Sequence, residues 1–202
     1  MTCNICGNDT FEFVPFRIGT PLTVQQGNKN VPPKCRKCGS VERHRIIKTV
    51  YTNNKKQSNK PLLFSKDPAI KYLPSNTEVS IYESDNSINV QDIKREDETY
   101  DLIFHHHVLE HVEDDELAFS ELCRILSKGG QMYWSVPSPT LLEETKIDDP
   151  KKNHMGHYRW YGNDFIKTVE SWSDKYNVTT TPIYETDIVT KFKDCIFLTE
   201  KE

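Results

Sequence analysis

The stretch Tyr100–Pro137, YDLIFHHHVLEHVEDDELAFSELCRILSKGGQMYWSVP, constrains this chain more than any other. Asp101–Phe104 is a short apolar run suited to a buried strand. The acidic cluster Glu113–Glu116 suits the positive amino end of a helix. Ala118, Leu122, Ile125 and Leu126 fall at i, i+4, i+7 and i+8, so they share one helical face. Lys128 and the pair Gly129-Gly130 are expected to close that helix, because glycine takes the left-handed cap without a Cβ clash. Met132–Val136 predicts the next strand, stopped by Pro137-Ser138-Pro139. Two strands joined by a helix of this length make a right-handed crossover in a parallel sheet. Ligands of such sheets sit beyond the carboxyl ends of the strands. Three histidines and the Pro-Ser-Pro segment fall there.

The same residues carry a resemblance. Asp101–Ile103, His107–His111, Glu121-Leu122, Arg124, Leu126, Gly129-Gly130 and Val136-Pro137 match, in order, a pattern of the class I methyltransferases that use S-adenosylmethionine. The resemblance implies an α/β, Rossmann-like sheet of about seven mostly parallel strands with helices on both faces.

The 202 residues suffice for one sizeable domain plus a small attachment. With 36% apolar and 28% charged residues, the composition is globular and on the polar side. No apolar run approaches the length of a membrane span, and residues 1–20 have no signal-peptide core. The expected location is therefore cytoplasmic, where cysteines favour metal over disulfides. Residues 1–48 hold eight Lys/Arg against three Asp/Glu, and the remainder eighteen against twenty-seven. A basic module on an acidic one either recruits an anionic substrate or docks two complementary faces.

Cys3-Asn4-Ile5-Cys6-Gly7 and Cys35-Arg36-Lys37-Cys38-Gly39 are matched C-x-x-C-G knuckles. Cys3, Cys6, Cys35 and Cys38 supply four soft ligands, enough for one closed, structural zinc site. An iron–sulfur centre is the competing reading. Phe11–Val14 and a loop at Gly27 fit a ribbon hairpin between the knuckles. Cys123 and Cys195 read as core thiols.

Gly39-Ser40-Val41-Glu42-Arg43-His44-Arg45 follows, with Ser40 the expected cap of a helix carrying Ile46, Ile47, Val50 and Tyr51 on its apolar face. The motif resembles that of a methyltransferase subgroup with an amino-terminal zinc ribbon. Arg43, His44 and Arg45 either brace the ribbon or line a substrate site. The expected organisation is a zinc ribbon with connecting helix at 1–48, a polar linker at 49–60, and a methyltransferase-like domain at 61–202.

Leu62–Ser65 predicts the first strand of that domain. A glycine-rich loop should follow it, yet there is no glycine between Gly39 and Gly129. Ser65, Lys66, Asp67 and Pro68 stand there instead, resembling the subgroup's proline-containing turn, and are the expected cofactor loop. Glu78–Glu83 alternates as a second strand. By resemblance, Glu83 meets the ribose hydroxyls, with Asp85 a local competitor. Ile88–Ile93 is the third strand's region. There Asp92 is assigned to the adenine amino group and Ile93 to the ring, against the alternative of a solvated turn aspartate. His106 and His107 are expected beside the methionine part of the cofactor.

Gly156–Phe165 resembles the subgroup's segment ahead of a helix. His157, Arg159 and Tyr161 either line the acceptor site or anchor the loop. Asn163 or Asp164 caps a helix Phe165–Trp172. Val178–Tyr184 and Asp187–Leu198 read as a closing antiparallel pair. The expected activity is S-adenosylmethionine-dependent O- or N-methylation of a small-molecule or sugar-type acceptor, with His107 or His157 as the base. A catalytically inactive binding protein of the same fold is the alternative. A nucleic-acid partner is disfavoured, because no basic stripe is interleaved with aromatic residues.

Overall fold

The computed structural model describes residues 2–12, 25–26, 29–30, 34–65 and 67–202. The expectations placed on Phe13, Val14, Gly27 and Lys66 lie outside the described residues. The chain forms two compact units. One comprises Met1–Lys55, Asp67–Leu73 and Tyr184–Asp194; the other comprises Lys56–Lys66, Pro74–Ile183 and Cys195–Glu202.

In the first unit, β1 (Phe11–Glu12) pairs antiparallel with β4 (Lys34–Cys35), and β2 (Gln25–Gln26) with β3 (Lys29–Asn30). The pairing sets Phe11 opposite Cys35. Helix α1 spans Glu42–Asn54 and buries Ile46, Ile47, Val50 and Tyr51, the face its spacing predicts. It runs on through Thr52–Asn54, which read as linker in sequence. Its cap is Val41 rather than Ser40: the Val41 amide donates to His44 Nδ1 at 3.1 Å. The Ser40 hydroxyl is turned to sulfur instead, 3.3 Å from Cys3 and 3.2 Å from Cys38. A short 3-10 turn, Pro68–Lys71, is capped by Asp67, whose carboxylate accepts from the Ala69 amide.

The main sheet has six strands in the order β11-β12-β8-β7-β5-β6. These are β5 (Pro61–Phe64), β6 (Glu78–Ser80), β7 (Tyr100–His106), β8 (Leu126–Ser135), β11 (Val178–Thr186) and β12 (Lys193–Lys201). The pairs β5–β6, β5–β7 and β7–β8 are parallel, and β12 lies antiparallel to β8. Two-residue strands β9 (Lys146–Ile147) and β10 (Arg159–Trp160) pair separately. Helix α2 (Asp115–Ile125) joins β7 to β8, and α3 (Phe165–Lys175) precedes β11. The crossover read from Tyr100–Pro137 is thus the centre of the sheet.

Local departures have physical causes. The glycine pair does not cap α2. The helix ends at Ile125, Leu126 is already extended, and the glycines lie within β8. Tyr100 pairs with Leu126 and Leu102 with Gln131, so the extra residues bulge out, with Gly129 at φ 75°. A Cβ on Gly130 would come 2.8 Å from the Ser127 carbonyl oxygen, so the bulge requires glycine there. Strand β6 stops at Ser80, and Ile81–Ser84 turns, closed by the Ser84 amide on the Ile81 carbonyl at 3.2 Å. Residues 88–93 form turns rather than a strand.

The core of this unit gathers Leu62, Phe64, Ile103, Phe119, Leu122, Met132, Trp134, Phe165, Trp172 and Phe197 between α2, α3 and the sheet. Trp134 is fully buried, stacks on Phe197 at 4.3 Å, and donates its indole N–H to Thr199 Oγ1 at 3.0 Å. Burial of aromatic rings with the one polar atom satisfied is the favourable case for tryptophan. No described helix is long and apolar enough to cross a membrane.

Candidate functional site

The four knuckle cysteines converge. Cys3 Sγ lies 3.7 Å from Cys38 Sγ, and Cys6 Sγ 3.6 Å from Cys35 Sγ. All four sulfurs lie within 4.8 Å of one another. A tetrahedral centre with metal–sulfur bonds of about 2.3 Å needs sulfurs about 3.8 Å apart, so the quartet has the dimensions of such a site. Each knuckle closes through its glycine: the Gly7 amide donates to the Cys3 carbonyl at 2.8 Å, and the Gly39 amide to the Cys35 carbonyl at 2.9 Å. Both glycines have positive φ, 72° and 74°. Burial raises the Cys35 thiol, but the amides of Cys38 and Lys37 together with hydrogen bonds from the Cys6 and Cys38 thiols outweigh it and lower the group to about 6.

In the same unit, Arg45 is fully buried. Its guanidinium donates to both carboxylate oxygens of Asp187 at 2.8 Å and to the Ser40 carbonyl at 2.8 Å. These bonds tie the Arg45 side chain to Asp187 and to the turn that follows the second knuckle. His44 is buried on the Val41 amide. Arg43 is half-buried, and its charge, with the Ala69 amide, opposes the burial that pushes Asp67 up to about 6.

The second unit holds a cavity of about 640 Å³ at the carboxyl ends of β5, β6 and β7. That volume falls in the range of small-molecule and cofactor sites. Ser65, Ser80, Tyr82, Asn89, His106 and His107 supply polar groups to its wall, and Phe64, Ile88, Val90 and Val108 apolar ones. Ser65 holds φ at 77°, the left-handed region, in the place where a glycine loop was expected, and its amide donates to the Ser80 carbonyl at 2.8 Å. The bend is therefore made without glycine, at a cost in backbone strain. His107 is also left-handed, at φ 52°, with its amide on the Ser135 carbonyl at 2.8 Å.

The three histidines differ in environment. His105 is fully buried, stacked on Trp134 at 5.4 Å and edge-on to Phe64 at 6.4 Å. Burial pushes it down to about 3, so it is a neutral core ring. His106 faces the cavity with Nδ1 3.1 Å from Ser135 Oγ. His107 faces it too, with Nδ1 3.7 Å from Oε1 of the fully buried Glu110.

Glu83, Asp92 and Ile93 are not brought to the cavity wall, where Tyr82 and Ser87–Val90 stand instead. Glu83 is exposed in a left-handed turn at φ 57°. Asp92 pairs with Lys94 at 2.5 Å in solvent. Ile93 is clamped into the core: its amide donates to Glu121 at 2.9 Å and its carbonyl accepts from Arg124 at 2.9 Å.

Arg159 and Tyr161 are bonded to the segment Leu109–Asp115. Arg159 donates to the carbonyls of Leu109, Val112 and Glu113 at 3.1, 2.8 and 2.5 Å. Tyr161 donates to Asp115 Oδ2 at 2.8 Å. Their neighbour His157 is buried, its ring 4.7 Å from that of His111. Burial, reinforced by His111, pushes His157 down to about 4. Glu110, His111 and His157 each place a ligand atom within 4.8 Å of the others. Glu110 was not singled out in the sequence, where it sits inside an otherwise apolar-looking V-L-E-H run.

A family model described as a methyltransferase domain matches residues 72–134. No curated protein matches the chain in sequence. Among solved structures, the chain is similar to the YcgJ protein of Bacillus subtilis, at 10% identity and TM-score 0.52 over 79% of this chain and 99% of that one. It is similar to a Burkholderia thailandensis 1,6-didemethyltoxoflavin-N1-methyltransferase solved with S-adenosylhomocysteine, at 9% identity and TM-score 0.50, covering 77% and 76%. It is also similar to the [4+2]-cyclase SpnF, at 10% identity and TM-score 0.52, covering 79% and 70%. At these identities the likeness establishes the Rossmann-like fold.

Proposed function

We infer that this chain, which carries a class I S-adenosylmethionine-dependent methyltransferase domain, transfers a methyl group to an oxygen or nitrogen of a small-molecule or sugar-type acceptor. The observation that supports this most is the cavity beyond the parallel strands β5, β6 and β7, walled by Ser65, Ser80, Tyr82, Asn89, His106 and His107. Bound S-adenosylmethionine would supply an already activated methyl group, so the chain's main task is alignment. Ser65 offers a hydroxyl at the bend after β5, Ser80 one at the end of β6, and Tyr82 and Asn89 polar groups from the segment beyond β6.

His107 is the proposed base. It faces the cavity, and the Glu110 carboxylate 3.7 Å away would stabilise its imidazolium. His107 would take the acceptor's proton on an imidazole nitrogen as the acceptor receives the methyl group. His157 is the second candidate, held neutral by its low affinity for a proton. The four cysteines are proposed to hold one structural zinc ion, on the strength of their spacing.

His107→Ala should lower kcat by roughly 10²–10⁴-fold at saturating cofactor. Unchanged turnover in that variant would remove His107 as base. A binding role without catalysis is kept as the second reading because the bend at Ser65 lacks glycine and because a cyclase shares the fold. It predicts cofactor binding with no transfer to any acceptor.

A further inference from the structure

Glu110, His111 and His157 form a cluster whose joint arrangement methyl transfer does not use, although Glu110 also lies 3.7 Å from His107 and His157 is the second candidate base. Glu110 and His157 are buried, and their ligand atoms and that of His111 all lie within 4.8 Å of one another. Glu110 Oε1 is 3.9 Å from His111 Nε2. Two imidazoles and one carboxylate on one side of a centre are the donor set of the facial triads that hold divalent first-row cations. With bonds of about 2.0–2.2 Å, adjacent ligand atoms stand roughly 3.0–3.5 Å apart. The Glu110–His111 pair therefore needs to close by about 0.4–0.9 Å, and atoms at the 4.8 Å limit by up to about 1.8 Å, through rotamer adjustment.

The surroundings are built to hold that arrangement. Residues 109–111 form a short 3-10 turn at the end of β7. The segment carrying His157 is bonded to that turn: the Tyr158 amide donates to the Glu110 carbonyl at 2.7 Å, and Arg159 donates to the Leu109 and Val112 carbonyls. Asn153 grips His157 from the other side, accepting from its amide at 2.9 Å and donating to its carbonyl at 2.8 Å. Two segments some fifty residues apart are thus locked so that their imidazoles face one carboxylate.

We propose that Glu110, His111 and His157 bind a divalent transition-metal cation at the mouth of the cavity. His111 also lines the cavity, together with Met155 and Gly156, so coordination positions left open by three protein ligands face the space where an acceptor would lie. Those positions suit hydroxyl or carboxylate oxygens. This last step rests on the methyl-transfer reading; cation binding itself does not.

The test uses the full chain with its cysteine site loaded with zinc. Mn²⁺ is the probe, because it prefers oxygen and nitrogen donors to thiolates, and the loss of the free-ion electron paramagnetic resonance signal counts the bound ion. One Mn²⁺ per chain is expected. His111→Gln and Glu110→Gln should each weaken it by at least roughly tenfold. His111 is 43% exposed at its side chain, so its variant should fold even if the buried Glu110 variant does not. Folded wild-type protein that takes up no Mn²⁺ or Co²⁺ at about 1 mM overturns the proposal, as does unchanged affinity in His111→Gln. Either result leaves cofactor binding, measured separately with S-adenosylhomocysteine, unaffected.

Discussion

Arg45 and Asp187, 142 residues apart in sequence, meet as a fully buried bidentate ion pair with both bonds at 2.8 Å. The Asp187 carboxylate also accepts from the Thr190 amide and hydroxyl, at 2.9 and 2.8 Å. Its charge is thus fully used, and removing either partner strands the other. Asp187→Ala and Arg45→Ala should each destabilise the unit that contains them by about 3–5 kcal/mol, read by urea unfolding. Arg45→Lys should not restore it, because an ammonium cannot make the fork.

His105 makes the opposite prediction. Its ring lies between Phe64 and Trp134, and neither ring nitrogen has a hydrogen-bond partner among the described residues. His105→Phe should raise stability by about 1–2 kcal/mol. The sign with pH follows from the ring's depressed pKa, about 3 in the fold against 6.5 outside it. Above pH 6.5 both states are neutral and the ring has no effect. As pH falls from 6.5 towards 3, only the unfolded chain takes up the proton, so stability is lost. The wild-type melting temperature should drop through that window, and less steeply in His105→Phe. His157, held at about 4, accounts for part of the remaining slope.

Ser65 holds a left-handed backbone at φ 77° that glycine would adopt without strain. Ser65→Gly should stabilise the protein by about 1 kcal/mol, measured by thermal unfolding. Ser65→Val, β-branched at the same φ, should destabilise it.

Ser40 sits between two of the sulfurs, 3.3 Å from Cys3 and 3.2 Å from Cys38. If the quartet holds zinc, one ion per chain is expected by elemental analysis, lost in Cys38→Ser. Ser40→Ala should weaken retention against a chelator by roughly 10–100-fold.

The crossover and the cysteine cluster were legible in sequence because their determinants are local. Four sulfurs in two matched knuckles, and Leu122 and Ile125 one turn apart, announce themselves by spacing. Asp187 was not legible as a partner of Arg45, since nothing in Thr186–Thr190 signals a pairing across 142 residues. Gly129-Gly130 read as a helix cap, and pairing of β8 with β7 makes them a bulge instead. Glu83 and Asp92 were assigned by resemblance, Glu83 at the end of a strand that stops three residues earlier, at Ser80. A turn after a short strand redirects every later side chain, so the cavity wall passed to Tyr82 and Asn89.

The central claim, that the cavity beyond β5, β6 and β7 is a nucleoside-cofactor site, is tested most directly by calorimetry with S-adenosylhomocysteine. One site per chain is expected, with micromolar affinity. Asn89→Trp, which fills the cavity from an exposed position on its wall, should weaken it by at least roughly tenfold. Absence of heat from folded wild-type protein at about 1 mM ligand would contradict the claim, as would unaltered affinity in the variant.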